Sequence, residues 1–181
     1  MAARAALTYA DSAAIPEDGR RYEFRDGELS VVPSPGTKHQ AILRDLLGIL
    51  NEHVKRGGLG MIFPAPTDCI LGDTTVLQPD LVFVDAARRA RVTERGIEGA
   101  PSLVVEILAP STAGTDRTVK ASLYARHGVP WYSTVDPEAQ TIEALALRRG
   151  AYEPAGRLEA GARGGLPPFE GLIIDVGILL G

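Results

Sequence analysis

Leu103-Val104-Val105-Glu106-Ile107-Leu108 is an apolar run with a carboxylate inside it, and no other stretch of the chain restricts the fold so tightly. The run reads as a β-strand. An acidic group in such a strand must find a cation or hydrogen-bond donors, because burying a bare carboxylate is very costly. Directly after it, Pro110-Ser111-Thr112 leads into a helical stretch at about 115–127 that stops at Gly128, and Trp131-Tyr132-Ser133-Thr134-Val135-Asp136 reads as the next strand. A strand, a helix and a strand in that order make a crossover. The expected class is therefore α/β, with a mixed central sheet and helices packed on it.

Elsewhere the signals are those of a turn-rich α/β domain. Tyr22-Glu23-Phe24-Arg25 and Leu29-Ser30-Val31-Val32 flank an Asp26-Gly27 turn and predict a β-hairpin. From Thr37, Ile42, Leu43, Leu46, Leu47, Ile49 and Leu50 recur at helical spacing until Gly57-Gly58 ends the segment. A short helix is expected over 6–18, stopped before Pro16. Met61–Phe63, Thr67–Leu71 and the run 76–84 predict three sequential strands in a meander. Thr141–Leu147 and Ala151–Glu153 predict two more strands. The late apolar stretch Leu172–Leu180, interrupted by Asp175, reads as a closing core element.

At 181 residues the chain fits one domain over 1–181 with a sizeable core. A single cysteine, Cys69, excludes an internal disulfide and a Cys-rich zinc site, which favours a reducing, cytoplasmic setting. The residues Met1–Leu7 lack the apolar core of a secretory signal, and no stretch reaches the roughly 20 apolar residues of a membrane helix. The net charge of −4 argues against a protein held on nucleic acid by bulk positive charge. It leaves room for a nuclease, whose metal ligands are themselves acidic.

Asp80, in Gln78-Pro79-Asp80-Leu81, is the second acid in an otherwise apolar run. Because side chains alternate along a strand, Asp80 groups with Val82 and Val84, and Glu106 with Val104 and Leu108. If those faces align, the two carboxylates converge and repel unless a hard divalent cation, Mg²⁺ or Mn²⁺, lies between them. The following helix offers Asp116, Lys120 and Tyr124 at spacings of four residues. Lysine occurs only at 38, 55 and 120, against sixteen arginines, so Lys120 is the notable cation there, positioned to orient or deprotonate a nucleophile. Without further context, His39 reads as a capping or packing residue, and the group Arg88–Arg95 as a polar connection that could touch phosphates.

Taken together, Tyr22–Leu29, His39-Gln40, Gln78–Leu81, Glu98–Leu108, Pro110–Thr112, Asp116 with Lys120 and Tyr124, and Gly128–Pro130 leading to Val135–Pro137 resemble the Uma2 family of bacterial restriction-endonuclease-like proteins. The similarity is strongest over 22–147 and implies the PD-(D/E)XK nuclease fold. It further implies that Asp80 and Glu106 are metal ligands, that Lys120 is the catalytic lysine, and that Glu28 is an additional acid at the metal with Gln78 nearby. One departure is plain. In the broader superfamily a lysine stands two positions after the second acid, and here that place holds Leu108, so Lys120 replaces it from the helix.

The expectation is a Mg²⁺-dependent (or Mn²⁺-dependent) DNA endonuclease, with a homodimer as a plausible way to cut two strands. The alternatives are a catalytically weak nuclease-like module that binds nucleic acid or a protein, and a metal-dependent hydrolase of a small phosphoester, which would need a closed pocket rather than a groove flanked by arginines.

Overall fold

The computed structural model describes residues 6–15 and 18–181; the segment Met1–Ala5 that carries the reading on secretion lies outside them, as do Pro16 and Glu17. A 3₁₀ helix at Tyr9–Ala14 stands where the short helix was expected. Strands β1 (Arg21–Arg25) and β2 (Glu28–Val32) then form the hairpin, with Asp26 and Gly27 both at positive φ, as its two-residue turn requires. Helix α1 spans Thr37–Gly57 and ends on Gly58 in the left-handed region, a conformation a glycine adopts without a Cβ clash.

Strands β3 (Gly60–Pro64), β4 (Cys69–Gly72), β5 (Thr75–Leu77) and β6 (Leu81–Asp85) follow, and here the expected meander fails. The run 76–84 is two strands, broken at Gln78-Pro79-Asp80. Pro79 has no N–H to give a ladder, so the chain leaves one sheet there and enters another. β5 pairs with β4 and β1, whereas β6 lies between β3 and β9 (Leu103–Ile107). After β6 a 3₁₀ turn at Ala86–Arg91 leads to the short strands β7 (Val92–Thr93) and β8 (Gly96–Glu98).

From β9 the chain runs through a helical stretch, 113–126, to β10 (Trp131–Asp136), which lies parallel to β9 as the crossover predicts. β11 (Thr141–Arg148) and β12 (Ala151–Leu158) add antiparallel strands, and β13 (Arg163–Gly164) with β14 (Ile174–Asp175) form a small ribbon before a final helix at Val176–Leu180. The central sheet has the order β12-β11-β10-β9-β6-β3, and a second sheet has the order β2-β1-β5-β4-β8-β7. The mixed α/β class is as expected.

Alternation along β6 and β9 divides the interior. Leu81, Phe83, Leu103, Val105 and Ile107 join Leu46, Leu50 and Val54 of α1 in one cluster, to which Leu172, Ile174, Val176, Leu179 and Leu180 of the closing segment also belong. Val82, Val84 and Val104 point the other way, toward Cys69, Leu77 and Ile97 of the second sheet and Leu123 and Tyr124 of the 113–126 stretch. Among the described residues, no helix is long and apolar enough to cross a membrane.

Candidate metal and phosphodiester site

The second of those faces ends in charge. β6 and β9 are antiparallel with Leu81 opposite Val105, and the same register carried one residue further sets Asp80 against Glu106. Both side chains line one cleft of about 180 Å³. Asp80 sits just before the strand rather than in it. There its Oδ2 accepts the Ile107 N–H at 2.7 Å and faces His39 Nε2 at 3.1 Å. A carboxylate can only accept, so the imidazole donates. His39, in the first turn of α1, is therefore a clamp on Asp80 rather than the cap or packing residue read from sequence. Its Nδ1 is buried and, among the described residues, has no hydrogen-bond partner.

Lys120 is the hub of the cluster. Its ammonium lies 3.1 Å from Glu106 Oε1, 3.1 Å from Glu23 Oε1 and 3.5 Å from Asp116 Oδ1. Tyr124 OH donates to the same Glu106 oxygen at 2.9 Å. Asp116, Lys120 and Tyr124 thus share a helix face as their spacing predicts, but the backbone beneath them is not regular. Residues Asp116–Lys120 form a π turn, in which the Ala121 N–H reaches the Asp116 carbonyl; Tyr132 OH donates to that same carbonyl at 2.9 Å. Such single π turns recur at functional sites, where the extra residue re-aims side chains.

Glu23 was not among the sequence candidates and proves central. It is fully buried, and Arg25 holds its Oε2 at 2.7 Å while the Gln78 N–H donates to Oε1. Glu28, the additional acid implied by the resemblance, is not brought to the cleft: it is exposed, at the start of β2. The reason is position along the hairpin. Glu28 lies opposite Arg25 and shares the face of Arg21, Glu23 and Arg25, but it stands at the turn end of the edge strand β2, whereas the cleft reaches that strand at its other end, at Val32. A signal for Glu23 was present, as an acid between Tyr22 and Phe24 in a hairpin strand needs a partner as much as Glu106 does. The group Arg88–Arg95 also lies elsewhere. Arg88 is bound by Asp85, Arg91 by the Ala100 carbonyl, and Arg95 rests on the Tyr9 ring. The arginines that do line the cleft are Arg21 and Arg25.

The electrostatics are strained. Glu23, Asp80, Glu106 and Asp116 are four buried acids, and of the three obligatory cations in the cleft only Lys120 and Arg25 pair with them. Burial, resisted by Lys120 and reinforced by Asp80, Asp116 and Glu23, pushes the Glu106 carboxyl up to about 8. Burial also raises Asp116 despite Lys120. Glu23 goes the other way, since Lys120 and Arg25 together overcome its burial. For Lys120 the balance is reversed: burial opposes its charge, yet Glu106, Glu23 and Asp116 hold it above the usual lysine range.

The donor set suits a hard cation. Among the described residues, Asp80 Oδ1 and Glu106 Oε2 take no hydrogen bond from the protein. No group of three or more His, Cys, Asp or Glu among the described residues closes on one point. A hard cation there would be held through one or two carboxylates, with water completing its shell.

A family model, Uma2, described as "Putative restriction endonuclease", matches residues 9–177. The chain belongs to the Uma2 family. In fold this Uma2 protein is similar to a crystal structure from Anabaena variabilis ATCC 29413 described as a putative nuclease belonging to DUF820, with a TM-score of 0.76 and 24% identity over 96% of this chain and 97% of that one. No curated protein matches it.

Proposed function

We propose that this Uma2 protein is a Mg²⁺-dependent or Mn²⁺-dependent endonuclease that hydrolyses phosphodiester bonds of DNA, with Asp80 and Glu106 as the metal ligands and Lys120 as the catalytic lysine. The observation that carries the reading is the convergence of four buried acids on one cleft where, among the described residues, one oxygen each of Asp80 and Glu106 takes no hydrogen bond from the protein. When bound, the divalent ion polarises the phosphodiester and lowers the pKa of a coordinated water.

The protein's own groups do the rest. His39 and the Ile107 N–H fix the Asp80 carboxylate in one orientation through Oδ2, and Oδ1 is the oxygen that would hold the ion. Lys120, held protonated, is a poor base. Its ammonium instead orients the attacking oxygen and offsets negative charge that grows on the phosphate. The neighbouring Glu23 and Asp116 keep that ammonium in place. Cutting both strands of a duplex calls for two such centres, so the working form is a homodimer.

The second reading, a catalytically silent nuclease-like module, is favoured by one observation: Lys120 already bridges Glu23, Glu106 and Asp116 without any metal. Titration calorimetry with Mn²⁺, together with a supercoiled-plasmid nicking assay, separates the two. The nuclease reading expects stoichiometric Mn²⁺ binding and nicking in the wild type, with both lost in Asp80→Ala and Glu106→Ala and the rate down by at least ~10³-fold. Metal binding that survives both substitutions removes the assigned site, and a wild type that binds no metal and cuts nothing is the silent module.

A further inference from the structure

One charged side chain in the cleft is used neither by the carboxylate cluster nor by the fold. Arg21 opens β1, two residues before Glu23 and four before Arg25, so all three project from the same face of the strand. Glu23 and Arg25 are bound to each other and, through Glu23, to Lys120. Arg21 lines the same cleft, yet among the described residues it makes no ion pair, and its Nε is buried without a hydrogen-bond partner.

Buried polar nitrogens without partners are rare in folded proteins, and a guanidinium nitrogen is an especially costly one to leave unpaired. The four carboxylates across the cleft make the cost stranger, since an arginine could have been neutralised there. Its complement is instead an oxyanion brought from outside, and a planar fork of donors matches the oxygens of a phosphate. The cleft also needs such a residue. A phosphodiester approaching Asp80 and Glu106 meets a cluster of four acids, while the ammonium of Lys120 and the guanidinium of Arg25 are already committed to them. The wall formed by Ser34, Pro35 and Gly36 adds no negative charge, and α1, which starts just after Gly36, has neither a side-chain cap nor an acid in its first turn.

We propose that Arg21 is the substrate anchor of the cleft, its guanidinium gripping non-bridging oxygens of a phosphodiester in the nucleic-acid strand that Asp80 and Glu106 act on. This rests on the phosphodiesterase reading above. The contact is to the backbone, so it serves every base sequence alike, and it acts on binding rather than on metal retention.

The test is fluorescence anisotropy with a 5′-labelled 20-base-pair DNA duplex in EDTA, where no cleavage occurs, over a range of salt concentrations, on wild type, Arg21→Gln and Arg21→Lys. Arg21→Gln should weaken binding about tenfold, the size of one lost charge-assisted contact. It should also lower the slope of log affinity against log salt by about one. Arg21→Lys should keep the slope but recover only part of the affinity, because an ammonium lacks the fork. Mn²⁺ affinity by calorimetry should be unchanged in both, and thermal unfolding should stay at the wild-type midpoint, since Nε has no partner to lose. Equal duplex affinity in wild type and Arg21→Gln overturns the anchor while leaving the nuclease reading intact. A large fall in the unfolding midpoint would make Arg21 structural and also overturn it. A wild type that neither binds nor nicks DNA removes the nuclease reading itself, and the anchor with it.

Discussion

The two faces of β9 are built on opposite logic. On one, Leu103, Val105 and Ile107 meet the apolar stripe of α1 and the closing segment, and the requirement is met by excluding water. On the other, Val104 continues the same kind of packing for one residue before Glu106 turns it into a charge cluster that the protein alone does not balance. Stability accumulates on the first face, whereas the second holds a frustrated arrangement that a cation and a phosphate would complete. A strand can carry both because side chains one residue apart belong to different environments.

The sharpest way to break this contrast is Lys120→Met. On the charged face it leaves Glu106 and Asp116 without their cation and Glu23 with Arg25 alone, so the metal-free protein should lose about 3–5 kcal/mol by chemical denaturation at pH 8. Full stability in that variant would show that the carboxylates adjust freely and that the cluster is not strained.

The next effect is one of pH. With its carboxyl at about 8 in the folded protein and an ordinary value of 4.5 when unfolded, Glu106 binds a proton in the native state that the unfolded chain has already lost. Its stabilisation is therefore complete below about 4.5 and is lost as pH rises through 8, by roughly 1.4 kcal/mol per unit at most. Asp116 shifts in the same direction and Glu23 in the opposite one, so the comparison that isolates Glu106 is wild type against Glu106→Gln. In chelator, the wild-type unfolding midpoint should fall from pH 5 to 8.5, and the variant's should fall less. Saturating Mn²⁺ should flatten the wild-type curve, because the ion binds the native carboxylate and competes with its proton. Parallel curves for the two proteins would remove Glu106 as the source.

Much of the apolar face was legible from the chain alone. The helical spacing of α1, the Asp26-Gly27 hairpin and the crossover from β9 to β10 all come from local periodicity and turn chemistry, and they stand. The break at Gln78-Pro79-Asp80 was misread because a continuous run of strand-forming residues outweighed the missing N–H of Pro79. On the charged face, Asp80, Glu106 and Lys120 do line one cleft, but their company did not follow from local sequence. Nothing near Lys120 says that it is buried. Glu23 reaches the cluster only because β1 and β5 belong to a second sheet packed over the first, a tertiary fact that no window of sequence contains.

On the apolar face, Ile107→Val should cost about 1 kcal/mol by thermal unfolding, with the same value in chelator and in Mn²⁺. Ile107 is adjacent to Glu106 in sequence, so a metal-dependent cost would show that the two faces are coupled through the backbone and do not act independently.

The smallest effect belongs to Glu28, and its smallness is informative. The family resemblance makes it a metal-site acid, while the geometry leaves it exposed beside the hairpin turn with Glu23 in the buried position. Glu28→Ala should change stability by less than about 0.5 kcal/mol, as a surface substitution does. It should also leave Mn²⁺ affinity and nicking at wild-type levels, whereas Glu23→Gln should disturb both by loosening Lys120. A Glu28→Ala protein that loses metal would mean that the hairpin closes over the cleft when the ion binds, and the charged face would then extend to a second strand of that sheet.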